Sequence, residues 1–522
     1  MPNFIPYDYN QTSMVVINYQ DQLQPGTFEH AIHYLVNNKL DLSIFDSRFN
    51  NDDTGRPAYN PAILLSIVLF AYSKGITSSR EIEWCCDTNI IFKALSCDTV
   101  PHFTTIAGFV STIPDEIEKL FEQILLICHE EGLLGNELFA IDGCKMPSDA
   151  AKEWSGTFKE LEQKRDKIKR QISHHMEEHK RIDDNDTHAE ERIKRAEQAI
   201  DTLNKSSEKI DYFLKTHEPR KGHSKAGNEV KSNITDNESA KMTTSKGTIQ
   251  GYNGVATVDK KHQVVIDAQA FGSGQEQHTL ELVLTEIEDR YNRLNISENI
   301  YADETIVTAD TGFANEQNMR YLKEKGINAY IPDNQFRSRD PKFAGQKDKY
   351  GKRHQDDKKK PANRFKPEDF DFDPENKTCL CPAGHSIRYR SEIKNELGHD
   401  KINFQGYRKQ CQACDLKHRC MKTPASADDV NGGGRQVSFI KDKAERKPND
   451  TDWMKERVDS PEGKLIYSHR MSVVEPVFGN IESNKGLNRF SLRGKKKVQG
   501  QWQLYCIVHN IEKLKNYGRL AA

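Results

Sequence analysis

The chain has almost no net charge, no apolar run long enough for a membrane and no export-type start. Its 76 Lys and Arg nearly balance its 78 Asp and Glu, leaving a formal charge of −2 over 522 residues. Overall charge therefore points to no partner. The longest apolar stretch, "AILLSIVLFAY" at 62–72, is too short to span a bilayer. The opening "MPNFIPYDYN" has neither the basic nor the apolar region of a secretory signal. These absences predict a cytoplasmic protein without a membrane partner. In a reducing compartment, eleven cysteines argue against a disulfide framework and for free thiols or bound metal.

What is present is unevenly distributed. Hydrophobic residues make up 36% and charged residues 30%, a polar but globular composition, and the length suits about two to four domains. From Lys485 to the end, nine basic residues face a single acid, Glu512. Such a segment suits a polyanion. Residues 1–135 predict an N-terminal helical domain: "PAILLSIVLFAYSKG" starts on proline and stops on glycine, and "IPDEIEKLFEQILLICHEEGLL" carries apolar residues at three- and four-residue spacing. Over 158–217, Leu161, Ile168, Ile172 and Met176, then Ile193, Ala196, Ile200, Leu203, Ile210 and Leu214, flank the polar break "DDNDTHA" at 183–189. That pattern predicts two helices folded into a coiled hairpin.

The rest of 136–332 alternates between strand and helix. "NELFAIDGCKM" predicts a strand ending at Asp142, "GYNGVATVD" and "HQVVIDAQAF" a hairpin, and "HTLELVLTEIEDRYNRL" an amphipathic helix. "ETIVTADTGF" predicts a strand ending at Asp310, with Asp303 the weaker candidate because it precedes the apolar run. After an insert at 333–465, helical periodicity returns over 466–522. The order predicts an α/β fold, a mixed sheet with flanking helices. Ligand sites in such sheets form at strand ends. In "SVVEPVFGNIE" (472–482), Glu475 followed by Pro476 predicts a helix start near the same edge. Three carboxylates brought together repel one another unless a divalent cation neutralises them, and hard oxygen ligands suit Mg²⁺ or Mn²⁺. Two such ions can drive phosphoryl transfer.

These stretches carry a resemblance. "GRPAYNPAILLSIVLFAYSKGITSSREIEWCCDTNIIFKALS" resembles the N-terminal domain of InsH-like transposases. "FAIDGCKM", "GYNGVATVD", "VTADTGFANEQN" and "YSHRMSVVEPVFGNIESNKGLNRFSLRG" resemble, in order, the catalytic motifs of bacterial insertion-sequence DDE transposases. The resemblance implies a ribonuclease-H-like catalytic core with Asp142, Asp310 and Glu475 as the metal-binding triad. It implies Tyr467 and Arg470 as the signature residues near the DNA ends. It further implies binding to the inverted-repeat ends of the element and to target DNA, Mg²⁺-dependent cleavage and joining, assembly as a dimer or larger on DNA, and a place at the nucleoid. In one respect the chain departs from the family: seven positions after Glu475, where a basic residue is usual, stands Glu482, with Lys485 one turn later as a substitute. A copy that binds DNA without cutting it, or a metal-dependent nuclease without strand transfer, would share these motifs.

The insert has chemistry of its own. "CLCPAGHS" and "CQACDLKHRC" place Cys381, Cys411, Cys414 and Cys420 at a spacing that suits a zinc knuckle, with Cys379, His385 and His418 as alternative ligands. Downstream, Lys485, Arg489, Arg493, Lys495, Lys496 and Lys497 are candidate phosphate contacts. Asp236 and Glu238 read as loop residues rather than metal ligands.

Overall fold

The computed structural model describes residues 16–49, 57–180, 189–222, 227–245, 247–302, 304–343, 364–394, 400–440 and 448–520. Most of the "DDNDTHA" break and Asp303 lie outside them. The chain divides into two compact units, residues 1–336 with 450–522, and residues 337–449.

In the first unit, the N-terminal helices α1 (Phe28–Asn38), α2 (Pro61–Ser73), α3 (Ser79–Thr88), α4 (Ile90–Leu95), α5 (Phe103–Thr112) and α6 (Pro114–Glu130) follow the predicted periodicity. The start of α2 shows why: Pro61 opens the first turn and the Asn60 side chain accepts the Ala62 amide. Helices α7 (Phe158–Lys180) and α8 (Ala189–Thr216) pack on each other through Leu161, Ile168, Ile210 and Phe213, joined by Ile172 and Leu203. The predicted hairpin is thus formed.

The central sheet contains β1 (Leu138–Pro147), β2 (Ala240–Thr244), β3 (Gly247–Asp259), β4 (Val265–Phe271), β5 (Ile306–Ala309) and β6 (Ala329–Tyr330). Across the sheet the order is β6-β5-β1-β3-β4, and β2 also pairs with β3. β1, β3 and β4 run antiparallel, whereas β5 and β6 run parallel to β1. Helices α9 (Leu280–Arg293) and α10 (Glu316–Glu324) join these strands. This confirms a mixed α/β sheet with flanking helices.

Two local predictions are corrected. β1 does not end at Asp142 but runs on to Pro147, because its other edge stays paired with β3 from Phe139↔Asp259 to Pro147↔Gly251. Glu475 does not begin a helix. Helices α11 (Asp450–Asp459) and α12 (Pro461–Ser468) precede α13 (Arg470–Gly479), and Pro476 lies inside α13. A proline there leaves the carbonyl four residues earlier without its amide. That carbonyl, on Ser472, accepts instead from Gln263 Nε2 at 3.1 Å.

The long terminal helix α14 (Lys495–Tyr517) is buried along most of its length and packs on β4, α6 and α2. Its amide side chains bond the edge of β4 that faces away from β3. Asn510 Oδ1 accepts the Val265 amide and Asn510 Nδ2 donates to the Val265 carbonyl, both at 2.8 Å. Gln499 does the same for Ala270 N and Ala268 O, at 2.6 and 2.7 Å. Trp502 Nε1 donates to Val255 O at 3.0 Å. The Trp502 ring is core, as its place in an apolar periodic stretch suggests.

Residues 337–449 form the second unit, so α11 and α12, which the sequence grouped with the insert, belong to the first. The second unit holds strands that its polar sequence did not reveal: β7 (Asp371–Asp373) with β8 (Thr378–Leu380), and β9 (Arg388–Lys394), β10 (Asp400–Gln405) and β11 (Gln436–Ile440) in a second sheet. Phe370, Cys379, Ile387, Ile402, Phe404 and Val437 make its core.

Arg290 joins the N-terminal helices to the sheet. Only 1% of its side chain is exposed, yet it meets Asp267 at 2.5 Å, Glu118 at 2.6 Å and Glu286 at 3.3 Å. Burial opposes the charge, but the surrounding carboxylates outweigh it and hold the guanidinium protonated. Glu118, Glu122 and Glu286 lie close enough together to hold a cation, but Arg290 and Arg293 already neutralise them. Arg290→Met should destabilise the chain by roughly 3–5 kcal/mol, because Asp267 is left buried and unpaired. Urea denaturation followed by circular dichroism measures this.

Candidate active site

The parallel ladder between β1 and β5 ends at Ile141↔Ala309. The next residue on each strand is an aspartate, so Asp142 and Asp310 emerge side by side. Asp142 Oδ1 accepts its neighbour's amide, Gly143 N, at 2.9 Å, and Oδ2 meets Arg470 Nη1 at 3.0 Å. Arg470 also donates to the Ile141 carbonyl at 3.4 Å, so α13 is pinned to the strand at the acid. Asp310 caps the turn Thr311–Phe313 by accepting Gly312 N at 2.7 Å. The cap role and a ligand role are compatible, since a carboxylate has a second oxygen. Burial and the neighbouring Asp142 charge push the Asp310 carboxyl above its ordinary range, against the pull of Arg470 and Lys145.

A third carboxylate is present that the sequence did not single out. Glu276 opens the turn Glu276–His278 after β4. It sits 3.5 Å from Lys145 Nζ and accepts from Asn253 Nδ2 at 3.3 Å. Burial pushes its carboxyl up, as do Asp310 and Asp142. A polar turn, "SGQEQH", carries no periodicity that would have flagged it. The only signal was a glycine in each Asp motif.

Glu475 is exposed on α13, and Val473, Val474 and Val477 are buried. The valines anchor the helix and leave the acid exposed to solvent, and no described contact joins it to Asp142 or Asp310. Two turns on, residues Asn480–Asn484 form a π-helical turn, a feature often found at functional sites. There Glu482 Oε1 accepts from Cys144 Sγ at 2.5 Å. The anomalous acid therefore touches the strand two residues beyond Asp142.

The oxygen donors Asp142, Asp310 and Glu276 come from three different elements, and the charges of both aspartates bear on Glu276, although among the described residues only Glu118, Glu122 and Glu286 have carboxylate oxygens all within 4.8 Å of one another. A hard divalent cation would offset the charges of the first three acids.

Two transposase family models match the sequence. The Transposase DDE domain matches residues 380–515 and the Transposase domain (DUF772) matches residues 17–112. Together the two matches support an insertion-sequence DDE transposase. No curated protein and no solved structure matches the chain significantly. DDE transposases generally use divalent metal ions. None of the chain's described helices is long and apolar enough to cross a membrane.

The basic residues of the transposase separate into two groups. Lys485 is 1% exposed and pairs with Glu512 at 2.5 Å, so it presents no charge to a phosphate. The expectation that it replaces the missing basic residue is corrected on that ground. Arg489 and Arg493 pair with Asp149. Lys495, Lys496 and Lys497 are exposed at the start of α14, with Lys496 near Asp115. Tyr467 packs edge-on against Phe336, ring centres 5.3 Å apart. Asp236 accepts the Tyr252 hydroxyl and Glu238 accepts the Lys495 amide, which makes both structural.

Behind α13, Asn480 Nδ2 approaches His509 Nδ1 at 3.1 Å, and His509 Nε2 approaches Gln263 O at 2.9 Å. The ring is satisfied when neutral with its proton on Nε2. Burial lowers its pKa from 6.5 to about 4. Above the unfolded value, this histidine is neutral in both states. As pH falls from 6.5 towards 4, only the unfolded chain takes up the proton and stability is lost, by roughly 3 kcal/mol at most. His509→Gln should flatten that part of the stability–pH curve, measured by denaturant unfolding at half-unit pH intervals.

Proposed function

We propose that this transposase binds the inverted-repeat ends of its own element, cleaves DNA there with Mg²⁺ or Mn²⁺, two ions acting together, and joins the 3′-ends to target DNA. The carrying observation is the side-by-side placement of Asp142 and Asp310 where the β1–β5 ladder ends. The strand order, three antiparallel strands followed by two parallel to the first, supports a ribonuclease-H-like core. In this reading Asp142, Asp310 and Glu475 hold the cations. Divalent ions bound there would activate a water or 3′-hydroxyl and stabilise the leaving oxygen. Arg470 orients Asp142 and offsets part of its charge. Lys495, Lys496 and Lys497 supply exposed phosphate contacts, with Arg489, Arg493 and Tyr467 nearby in sequence. Pairing two ends requires at least a dimer on DNA, working at the nucleoid.

A second reading, a copy that binds ends without cutting, draws on Glu482, whose contact with Cys144 places a negative charge where a basic residue is usual. Asp142→Asn, Asp310→Asn and Glu475→Gln should each abolish Mg²⁺-dependent nicking and joining of a labelled end-containing duplex, with end binding retained in gel shifts. Full activity in any of the three would sink the assignment. A wild-type protein that binds ends but never nicks them would establish the second reading, and nicking without joined products would mark a nuclease.

We propose structural zinc in the second unit as well, with its thiolates drawn closer together when the ion binds. Cys381, Cys411, Cys414 and Cys420 line one small cavity, with His385 at its edge. The Arg435 amide approaches Cys411 Sγ at 3.5 Å, and Gly406 and Gly434 leave room for that sulfur. Cys379 is instead one of the buried core residues of the unit, so it is left out of the proposed ligand set. Elemental analysis of the purified protein should find one zinc per chain, lost in a Cys411→Ser/Cys414→Ser variant. A metal-free wild type would rule zinc out.

A further inference from the structure

We propose that Glu276 is a fourth carboxylate of the cation site, a direct metal ligand that Lys145 occupies until a divalent ion displaces it. The inference rests on the metal-site reading above and extends it to a residue outside the three motif acids.

Three observations converge on Glu276. First, it touches Lys145 on the strand of Asp142 and lies against Gly312 in the turn that follows Asp310. Its side chain is only 11% exposed, and it reaches Lys145 on β1 and Asn253 on β3. Asp142 and Asp310 lie close enough for their charges to act on it. Second, both Asp motifs contain a glycine whose reason is steric. A Cβ on Gly312 would collide with Glu276 Oε2, and a Cβ on Gly143 would lie 2.9 Å from both amide atoms of Asn253. Neither glycine has the positive φ that favours the residue. Each instead clears space for one member of the Asn253–Glu276 pair. Third, Asn253 is fully buried, yet its Oδ1 has no hydrogen-bond partner. An amide oxygen left unpaired in the interior is costly, and a bound ion or its water would satisfy it.

A purely structural role, Glu276 as counter-ion to Lys145, explains the salt bridge. It does not explain the orphaned oxygen of Asn253. A carboxylate that is pulled towards one ammonium while repelled by two other carboxylates is poised to exchange partners. When a divalent cation enters, Glu276 gains a doubly charged partner and Lys145 is freed to face the scissile phosphate region or solvent.

The test is Mn²⁺ binding to the full chain, read by the electron-paramagnetic-resonance signal of free Mn²⁺, for wild type, Asp142→Asn, Asp310→Asn, Glu276→Gln and Glu276→Asp. Removing even an indirect partner of a metal ligand typically weakens binding about 10- to 100-fold. Both Glu276 variants should therefore bind at least roughly tenfold more weakly than wild type, with thermal unfolding confirming that each is folded. Glu276→Asp keeps the charge but shortens the reach. Wild-type affinity in Glu276→Asp together with weak binding in Glu276→Gln would mean that Glu276 acts through charge alone, and would overturn the ligand role. Unchanged affinity in both Glu276 variants, with binding lost in Asp142→Asn and Asp310→Asn, would overturn it too and leave the metal-site reading standing. Unchanged affinity in the two aspartate variants would instead bring down that underlying reading.

Discussion

The point where one parallel ladder stops governs the rest of the molecule. β1 and β5 pair as far as Ile141 and Ala309, and the chain then places like charges side by side in a half-buried position. Such an arrangement is unfavourable by itself. Arg470 answers it from α13 and Lys145 from β1, the latter through Glu276. Burial of the three valines on α13 holds that helix against the sheet, so the position of Arg470 is fixed by packing rather than by attraction alone. The site thus balances local repulsion against contacts spread over the whole first unit.

Those contacts reach the N-terminal helices through two buried features. Arg290 gathers carboxylates from α6, α9 and β4, and α14 lies between the sheet and α2 and α6. The N-terminal module is therefore part of the same folded unit as the catalytic sheet, not a bead on a linker.

Much of this could be read from residue order. The alternation in "GYNGVATVD" and "HQVVIDAQAF" gave β3 and β4, and the apolar spacing of 158–217 gave α7 and α8, because each pattern is local. The failures share a cause in distant partners. β1 outruns Asp142 because β3, more than a hundred residues later, keeps pairing with it. Pro476 sits inside a helix because Gln263, 209 residues away from Ser472, takes over the freed carbonyl. Lys485 looks like a phosphate contact until Glu512 folds back onto it. Glu276 was missed for the complementary reason: its evidence lies in what is absent from Gly143 and Gly312.

The amide pairs that α14 makes with β4 have a consequence in time. The partners Val265 with Asn510 and Ala270 with Gln499 are 245 and 229 residues apart. At a synthesis rate of about 5–20 residues per second, strand β4 waits roughly ten to fifty seconds for the helix that seals it. Throughout that interval its outer edge is an unfilled template to which another nascent copy could add. Copies made together on one message would thus compete between completing themselves and joining one another, and crowding on the polysome would decide how much finished enzyme a cell obtains.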